Sequence, residues 1–143
     1  MPIDAQQENR ESSTGSKSKA ALWIGWILTV LTTLFMLFDT FAHYAMPQPV
    51  VDAFVRLGLP ASRSAVLATI ELICVALYVV PQTAVLGAVL LTGYFGGATA
   101  IHLRAGSPLF ETVFPVILGG IAWAGIYLRE GRLHRLIPAR ICS

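Results

Sequence analysis

The sequence contains little charge and few cysteines. Asp, Glu, Lys and Arg make up 13% of its 143 residues, whereas a soluble domain averages about 25%. Cys74 and Cys142 form no Cys-x-x-Cys pair, and no Cys/His spacing typical of a metal site is present. The net charge of +2 is too small to indicate nucleic-acid binding. The sequence therefore predicts no metal site, no disulfide within one chain and no nucleic-acid partner.

Apolar residues account for 55% of the chain, and the mean hydropathy is +0.68. They are gathered into four runs of the length, about 20 residues, that an α-helix needs to cross a bilayer. The charges collect in the segments between and around these runs. We therefore predict an all-α membrane protein with a transmembrane domain over 20–128. Its predicted spans are 20–41, 64–80, 83–103 and 108–128.

Three segments lie outside the predicted spans. Residues 1–19 are polar and cannot bury enough apolar surface to fold, so we predict a disordered cytoplasmic tail. Residues 129–143 form a basic tail, also predicted to be cytoplasmic. Between the first two spans, Val50, Phe54 and Leu57 share one helical face, which predicts a short amphipathic helix at the membrane surface.

The basic residues predict how the chain crosses the membrane. The link at 81–83 is so short that the second and third spans must be antiparallel neighbours. If the N-terminus is cytoplasmic, the cytoplasmic segments hold seven basic residues and the outer segments three. The positive-inside rule then favours an up-down bundle with both termini in the cytoplasm. The seven are Arg10, Lys17, Lys19, Arg129, Arg132, Arg135 and Arg140.

Several ionisable residues fall within or beside the predicted spans, where each costs about 2.5–3.5 kcal/mol on insertion scales. With alternating helix directions, all of them lie in the outer half of the bilayer. We interpret them as a polar pocket open to the outer side, with the surface helix as a lid. The candidate ligand-binding residues are Asp39, His43, Glu71, Thr99, His102, Arg104 and Glu111.

These polar residues also have a plainer interpretation. Most lie close enough to the interface to be hydrated, and pairing among them would explain their presence. Glu111 lies in the first turn of a predicted helix, where a carboxylate interacts favourably with the helix dipole. Glu71 lies deeper, so both a functional role and simple hydrogen bonding in the protonated form remain open for it.

Small residues recur at helical spacing in the last two spans. Gly93 and Gly97 form a Gly-xxx-Gly pair, and Gly120 lies in the fourth span. In lipid, such faces allow two helices to approach closely. We predict that these glycines pack helices together within one chain, with packing between two chains as the alternative.

Three stretches carry a resemblance to a known family. Residues 90–130, LLTGYFGGATAIHLRAGSPLFETVFPVILGGIAWAGIYLRE, resemble the second half of the DoxX-like family of bacterial four-helix membrane proteins. Residues 34–54 and 70–88 are similar to its first half, in the same order. The family often has a Lys where this chain has His43, so an acid–base pair with Asp39 would here depend on pH.

The resemblance implies a location in the bacterial cytoplasmic membrane and, more loosely, a function. The wider group is linked to thiosulfate:quinone oxidoreductase subunits and to membrane redox complexes. A quinone is therefore the candidate cofactor, and a redox protein is the candidate partner besides lipid. Related proteins such as MauE carry cysteine pairs that this chain lacks, so no catalytic residue is assigned. The alternatives are a small-molecule binding or transport protein and a structural anchor subunit.

Overall fold

The computed structural model describes the backbone of residues 3–130 and 133, and the side chains of residues 19–130 and 133. This part of the chain forms five α-helices, with a 3₁₀ turn at Ala61–Arg63, and contains no strand. The predicted all-α fold is thus confirmed. The helices are α1 (Ile3–Ala45), α2 (Gln48–Arg56), α3 (Ser64–Val79), α4 (Ala84–Arg104) and α5 (Leu109–Arg129).

Four of these helices are long and apolar enough to cross a membrane. In each, no more than 33% of the most apolar stretch is buried within the chain. Large side chains point outward instead, including Trp23 at 72% exposure, Phe38 at 70% and Leu109 at 79%. A surface this apolar is stable in lipid and unfavourable in water. The predicted integral membrane protein is therefore confirmed. The spanning segments are Lys19–Ala45, Ala61–Val79, Ala84–Arg104 and Leu109–Arg129.

The helix bounds differ from the predicted ones chiefly at the chain's N-terminal end. Helix α1 begins at Ile3, so the backbone is helical through most of the segment predicted to be disordered. Nucleation is the costly step of helix formation, and the apolar part of α1 supplies the nucleus from which polar residues can extend it. The predicted C-terminal tail lies outside the described residues, apart from Arg129, Glu130 and Leu133.

The four long helices form a closed bundle. Helix α1 packs against α3 and α5, and α4 packs against the same two helices. One stripe of each helix faces inward at intervals of three or four residues, which is the spacing of an α-helical face. On α3 this stripe comprises Ser64, Ala68, Glu71, Val75 and Tyr78. Met36, Leu91 and Ile126 contribute to the apolar core from the other helices.

The glycines that bring helices together are not the predicted ones. A Cβ added at Gly93, Gly97 or Gly120 would meet nothing within 4 Å, so none of the three lies at a close helix–helix contact among the described residues. The inward stripe of α4 instead runs through Ala84, Gly87, Ala88, Leu91 and Phe95. The Gly-xxx-Gly spacing identified a smooth helix face but not the direction in which that face points.

Close contacts occur instead at three other glycines. A Cβ on Gly87 would overlap the backbone of Leu77 and Tyr78. A Cβ on Gly25 would lie 2.9 Å from the carbonyl oxygen of Gly125, and one on Gly125 would lie 3.0 Å from Thr29 Oγ1. Glycine is required at Gly87 because a neighbouring backbone touches it, and a methyl group at Gly25 or Gly125 would force the neighbouring atoms to shift.

Helix α2 occupies the position of the predicted surface helix. As the sequence indicates, one side of α2 faces the bundle and the other faces outward. Phe54 is buried at 4% exposure, whereas Val55 is exposed at 73%. Sharp turns flank it, since Met46 has φ 48° and Gly58 has φ 68°. Left-handed backbone of this kind suits glycine and is uncommon for other residues. The two turns direct α2 away from α1 and α3.

Candidate functional site

A cavity of about 560 Å³ lies among the helices and is covered in part by α2. Its volume falls within the range of roughly 300–1,000 Å³ that is typical of small-molecule sites. All five helices contribute to the lining, which is mainly aliphatic and aromatic. The aromatic residues are Phe35, Phe54, Tyr94, Phe95, Phe110 and Phe114, and the ionisable ones are Asp39, His43, His102 and Glu111.

Asp39, His43 and Glu71 form the first of two polar groups, which we name the inner triad. Asp39 and His43 lie one turn apart on α1, and Glu71 faces them from α3. The Nδ1 atom of His43 lies 3.5 Å from Asp39 Oδ2 and 3.5 Å from Glu71 Oε2. Asp39 and His43 line the cavity directly, whereas Glu71 is fully buried at 0% exposure.

The hydrogen bonding of the inner triad is incomplete. Tyr94, on α4, donates its hydroxyl to Glu71 Oε2 at 3.1 Å. Within the part of the chain that the structure describes, Glu71 Oε1 and His43 Nδ1 are buried without a hydrogen-bond partner. A buried polar atom left in this condition costs about 1–3 kcal/mol. The inner triad thus places unpartnered polar atoms next to a cavity.

The second polar group, the rim cluster, comprises Arg56, His102, Ser107 and Glu111. Glu111 Oε1 lies 3.6 Å from Arg56 Nη1, and Glu111 Oε2 lies 3.7 Å from His102 Nδ1. The same His102 nitrogen is 3.1 Å from Ser107 Oγ. These contacts connect α2, α4 and α5, so the rim cluster holds α2 against the bundle.

The structure does not bring all of the predicted pocket residues to the cavity. Thr99 donates its hydroxyl to the carbonyl of Phe95 in its own helix and does not line the cavity. Arg104 lies on the surface, where its Nη2 donates to the carbonyl of Leu57 at 3.0 Å. Gly93 and Gly97, predicted as packing residues, line the cavity instead, and their missing side chains leave room within it.

Sequence reasoning missed Tyr94, which completes the inner triad. Its position three residues after the buried Leu91 indicates an inward direction on α4, and a tyrosine hydroxyl buried there needs a polar partner. Glu71 was the obvious buried acceptor. Helical spacing along α4 could therefore have identified this hydrogen bond.

Arg129, the first residue of the predicted basic cytoplasmic tail, is the last residue of α5. It is only 8% exposed. Its Nη2 donates to the carbonyl of Tyr78 at 3.0 Å, and its guanidinium lies 4.8 Å from the ring centre of Trp26. The hydroxyl of Tyr78 in turn donates to the carbonyl of Ala122. Arg129 therefore connects the end of α5 to α3 and α1.

The four apolar helices, their outward apolar surface and the internal cavity define a polytopic α-helical membrane protein. Comparison with known proteins identifies the group. A family model described as the DoxX-like family matches residues 27–125, and the chain belongs to that family. The match includes the inner triad, Tyr94 and the rim cluster. Neither the curated proteins nor the solved structures include a significant match.

Proposed function

We propose that this protein is a membrane component that binds a lipophilic redox molecule of the quinone class in its cavity. The observation that carries the proposal is the composition of the cavity wall, where aromatic and aliphatic side chains surround two polar groups. A quinone has the same division, with an apolar ring and tail and two polar carbonyl oxygens. Ligand sites commonly combine an apolar lining with a few polar groups that fix orientation.

Three aromatic side chains form a continuous apolar group on the cavity wall. Phe114 lies edge-on to Phe35, with ring centres 5.4 Å apart, and its ring centre is 5.6 Å from that of Phe110. Phe110 is 72% exposed, so this aromatic group extends from the cavity to the membrane-facing surface. A ligand dissolved in the bilayer could enter along this path while its polar end reaches the inner triad.

The proposal includes a membrane orientation. We place both termini on the cytoplasmic side of a bacterial inner membrane, in an up-down bundle with the cavity in the outer half of the bilayer. The distribution of basic residues supports this orientation through the positive-inside rule. A single cysteine introduced at Gln82, in the link between α3 and α4, should then react only with a reagent that reaches the cytoplasm.

A pair of glycine variants tests ligand binding. Gly97 lines the cavity and Gly120 does not, and both face open space in this chain. Filling the cavity with Gly97→Phe should weaken binding of a short-chain ubiquinone analogue at least tenfold. Gly120→Phe should leave binding unchanged. Isothermal titration of each purified protein in detergent measures the affinities.

Two results of this titration would overturn the proposal. One is a wild-type protein that binds no quinone analogue, either added or co-purified. The other is equal loss of affinity in Gly97→Phe and Gly120→Phe, since the second change lies outside the cavity. Retained binding of other lipophilic molecules with no preference for quinones would instead support the alternative of a binding or transport protein without redox chemistry.

One observation favours a structural anchor as a second candidate. Gly96, Ala100 and Gly120 are exposed on α4 and α5, where a second protein could approach closely. If this face binds a partner subunit, Gly120→Phe should abolish co-purification of that partner and leave quinone binding intact. The same two variants therefore separate the two functions.

A further inference from the structure

We propose that the inner triad is a binding site for a divalent first-row transition-metal ion, with Asp39, His43 and Glu71 as its protein ligands. This inference goes beyond the cavity's proposed ligand and revises the prediction from sequence that the chain has no metal site. Spacing along the sequence gives no sign of it, because the third ligand comes from a different helix.

The two nitrogen–oxygen distances within the inner triad are compatible with ligands that share an ion. Charge-assisted hydrogen bonds between these groups would be about 2.7–2.9 Å long, but both nitrogen–oxygen distances are 3.5 Å. Two ligand atoms at tetrahedral positions, each with a metal bond of 2.0–2.2 Å, are separated by about 3.4 Å. One ligand atom from each residue lies within 4.8 Å of the other two.

The unpartnered atoms point to the same conclusion. Glu71 is fully buried, yet its Oε1 atom has no hydrogen-bond partner among the described residues. His43 Nδ1, in contact with both carboxylates, is also buried and unpartnered there. A cation accepts lone pairs from both atoms at once.

Charge balance provides a separate argument. Two carboxylates and one imidazole meet in the inner triad, and within the described residues no Lys or Arg nitrogen lies within 4.0 Å of either carboxylate. The nearby arginines are engaged elsewhere, Arg56 with Glu111 and Arg104 with the Leu57 carbonyl. His43 can offset at most one of the two negative charges, and Glu71 is fully buried, where an uncompensated charge is strongly unfavourable. A divalent ion neutralises both carboxylates.

The donor set indicates which ions fit. An imidazole nitrogen suits zinc, iron and copper, whereas carboxylate oxygens suit manganese and magnesium. One nitrogen with two carboxylates therefore favours Mn²⁺, Fe²⁺ or Zn²⁺. Tyr94 donates to Glu71 Oε2 and would orient that ligand, as outer-shell hydrogen bonds do in known metal sites. Because Asp39 and His43 line the cavity, the ion would border it.

The rim cluster supplies a matched control. It also pairs a histidine with a carboxylate, at 3.7 Å, but its Glu111 already has Arg56 as a counter-charge. Glu111 is 33% exposed, against 0% for Glu71. Glu111→Gln therefore removes a carboxylate of similar chemistry from the same protein without touching the inner triad.

The experiment uses the full chain without a histidine tag, purified in detergent and stripped of metal with a chelator. Mn²⁺ is titrated into the protein while electron paramagnetic resonance reports the free ion, and Zn²⁺ is then added as a competitor. Wild type and Glu111→Gln should each bind one Mn²⁺ per chain with equal affinity. Glu71→Gln and Asp39→Asn should each weaken binding at least tenfold.

Three outcomes would overturn the inference. They are no binding of Mn²⁺ or Zn²⁺ to wild type, wild-type affinity in both Glu71→Gln and Asp39→Asn, or an equal loss in Glu111→Gln, which would mark an adventitious ion only. Asp39 is 40% exposed, so Asp39→Asn tests the site even where Glu71→Gln fails to fold. Quinone binding measured on the stripped protein keeps failure of this inference distinct from failure of the proposed function.

Discussion

The two ends of the bundle use glycine for opposite purposes. At one end, which we name the packed end, Gly25, Gly87 and Gly125 allow neighbouring backbones to touch. At the cavity end, Gly93 and Gly97 face open space and border the cavity. The difference lies in whether each glycine falls on the inward stripe of its helix. At the packed end the missing side chain lets two helices touch, and at the cavity end it leaves empty space in the cavity.

The two ends also treat charge differently. At the packed end, the buried Arg129 has a carbonyl acceptor for Nη2 and an aromatic ring against its guanidinium, while its Nε and Nη1 have no hydrogen-bond partner among the described residues. At the cavity end, the buried Glu71 keeps an unpartnered oxygen among the described residues. Within the described part of the chain, buried polar atoms without a partner therefore occur at both ends, and what differs is their surroundings. Arg129 lies against a carbonyl and an aromatic ring, whereas the inner triad borders a cavity that has room for a ligand.

The largest expected effect comes from adding a methyl group at the packed end. Gly87→Ala places a Cβ against the backbone of Leu77 and Tyr78, which cannot move aside as a side chain could. We expect a loss of about 3 kcal/mol or more in the free energy of unfolding. The measurement is the folded fraction during unfolding of the detergent-solubilised protein by sodium dodecyl sulfate.

Gly93→Ala, on the same helix, is the control for this prediction. Its Cβ would meet nothing within 4 Å. Because alanine is the better helix former, stability should stay constant or rise by up to about 1 kcal/mol. If Gly87→Ala and Gly93→Ala destabilised the protein equally, the helices would be packed equally closely at the two ends, contrary to the structure.

A smaller effect is expected from the two arginines that donate to a backbone carbonyl at 3.0 Å. Arg129 is buried against Trp26, whereas Arg104 is exposed. Arg129→Met should destabilise the protein by about 2–3 kcal/mol, since it removes a charged hydrogen bond and a cation–π contact. Arg104→Met should cost less than about 1 kcal/mol because water already competes for its hydrogen bond.

The same unfolding measurement distinguishes these variants. A cost for Arg104→Met as large as that for Arg129→Met would show that burial of the guanidinium does not control its contribution. In that case α2, which Arg104 contacts through Leu57, would matter to the stability of the bundle as much as the packed end does.

The spans and the surface helix could be predicted from sequence because hydrocarbon imposes a length and a composition on each helix. The predicted surface helix at 50–57 corresponds to α2, Gln48–Arg56, since its apolar residues repeat at helical spacing. The direction of the glycine face could not be predicted. Which side of an apolar helix points inward depends on neighbouring helices, and lipid-facing and core-facing residues are here equally apolar.

The sequence indicated most of the ionisable residues of the candidate site, but not which of them lie next to one another. Ionisable residues in apolar runs stand out because their burial is costly, so Asp39 and Glu71 were found directly. The inner triad depends on how α1 packs against α3, and the rim cluster depends on where α2 lies against α4 and α5. Tyr94 was missed because a tyrosine in an apolar helix is common and costs little.

The smallest effect is expected from removing one hydroxyl group at the cavity end. Tyr94→Phe deletes the donor to the buried Glu71 and should lower the free energy of unfolding by about 1 kcal/mol, as single buried hydrogen bonds do. Tyr44→Phe is the control. The Tyr44 hydroxyl bonds to Thr69 on the outer surface, and Thr69 also has the carbonyl of Ala65 as an acceptor.

Tyr44→Phe should therefore change stability by less than about 0.5 kcal/mol. If Tyr94→Phe proves equally neutral, then Glu71 has another donor available and its surroundings are hydrated. The inner triad would then be an ordinary hydrated polar cluster, with no need of a ligand. If Tyr94→Phe instead lowers both stability and Mn²⁺ affinity, Tyr94 orients Glu71 for a ligand, because a merely structural hydroxyl would affect only the first.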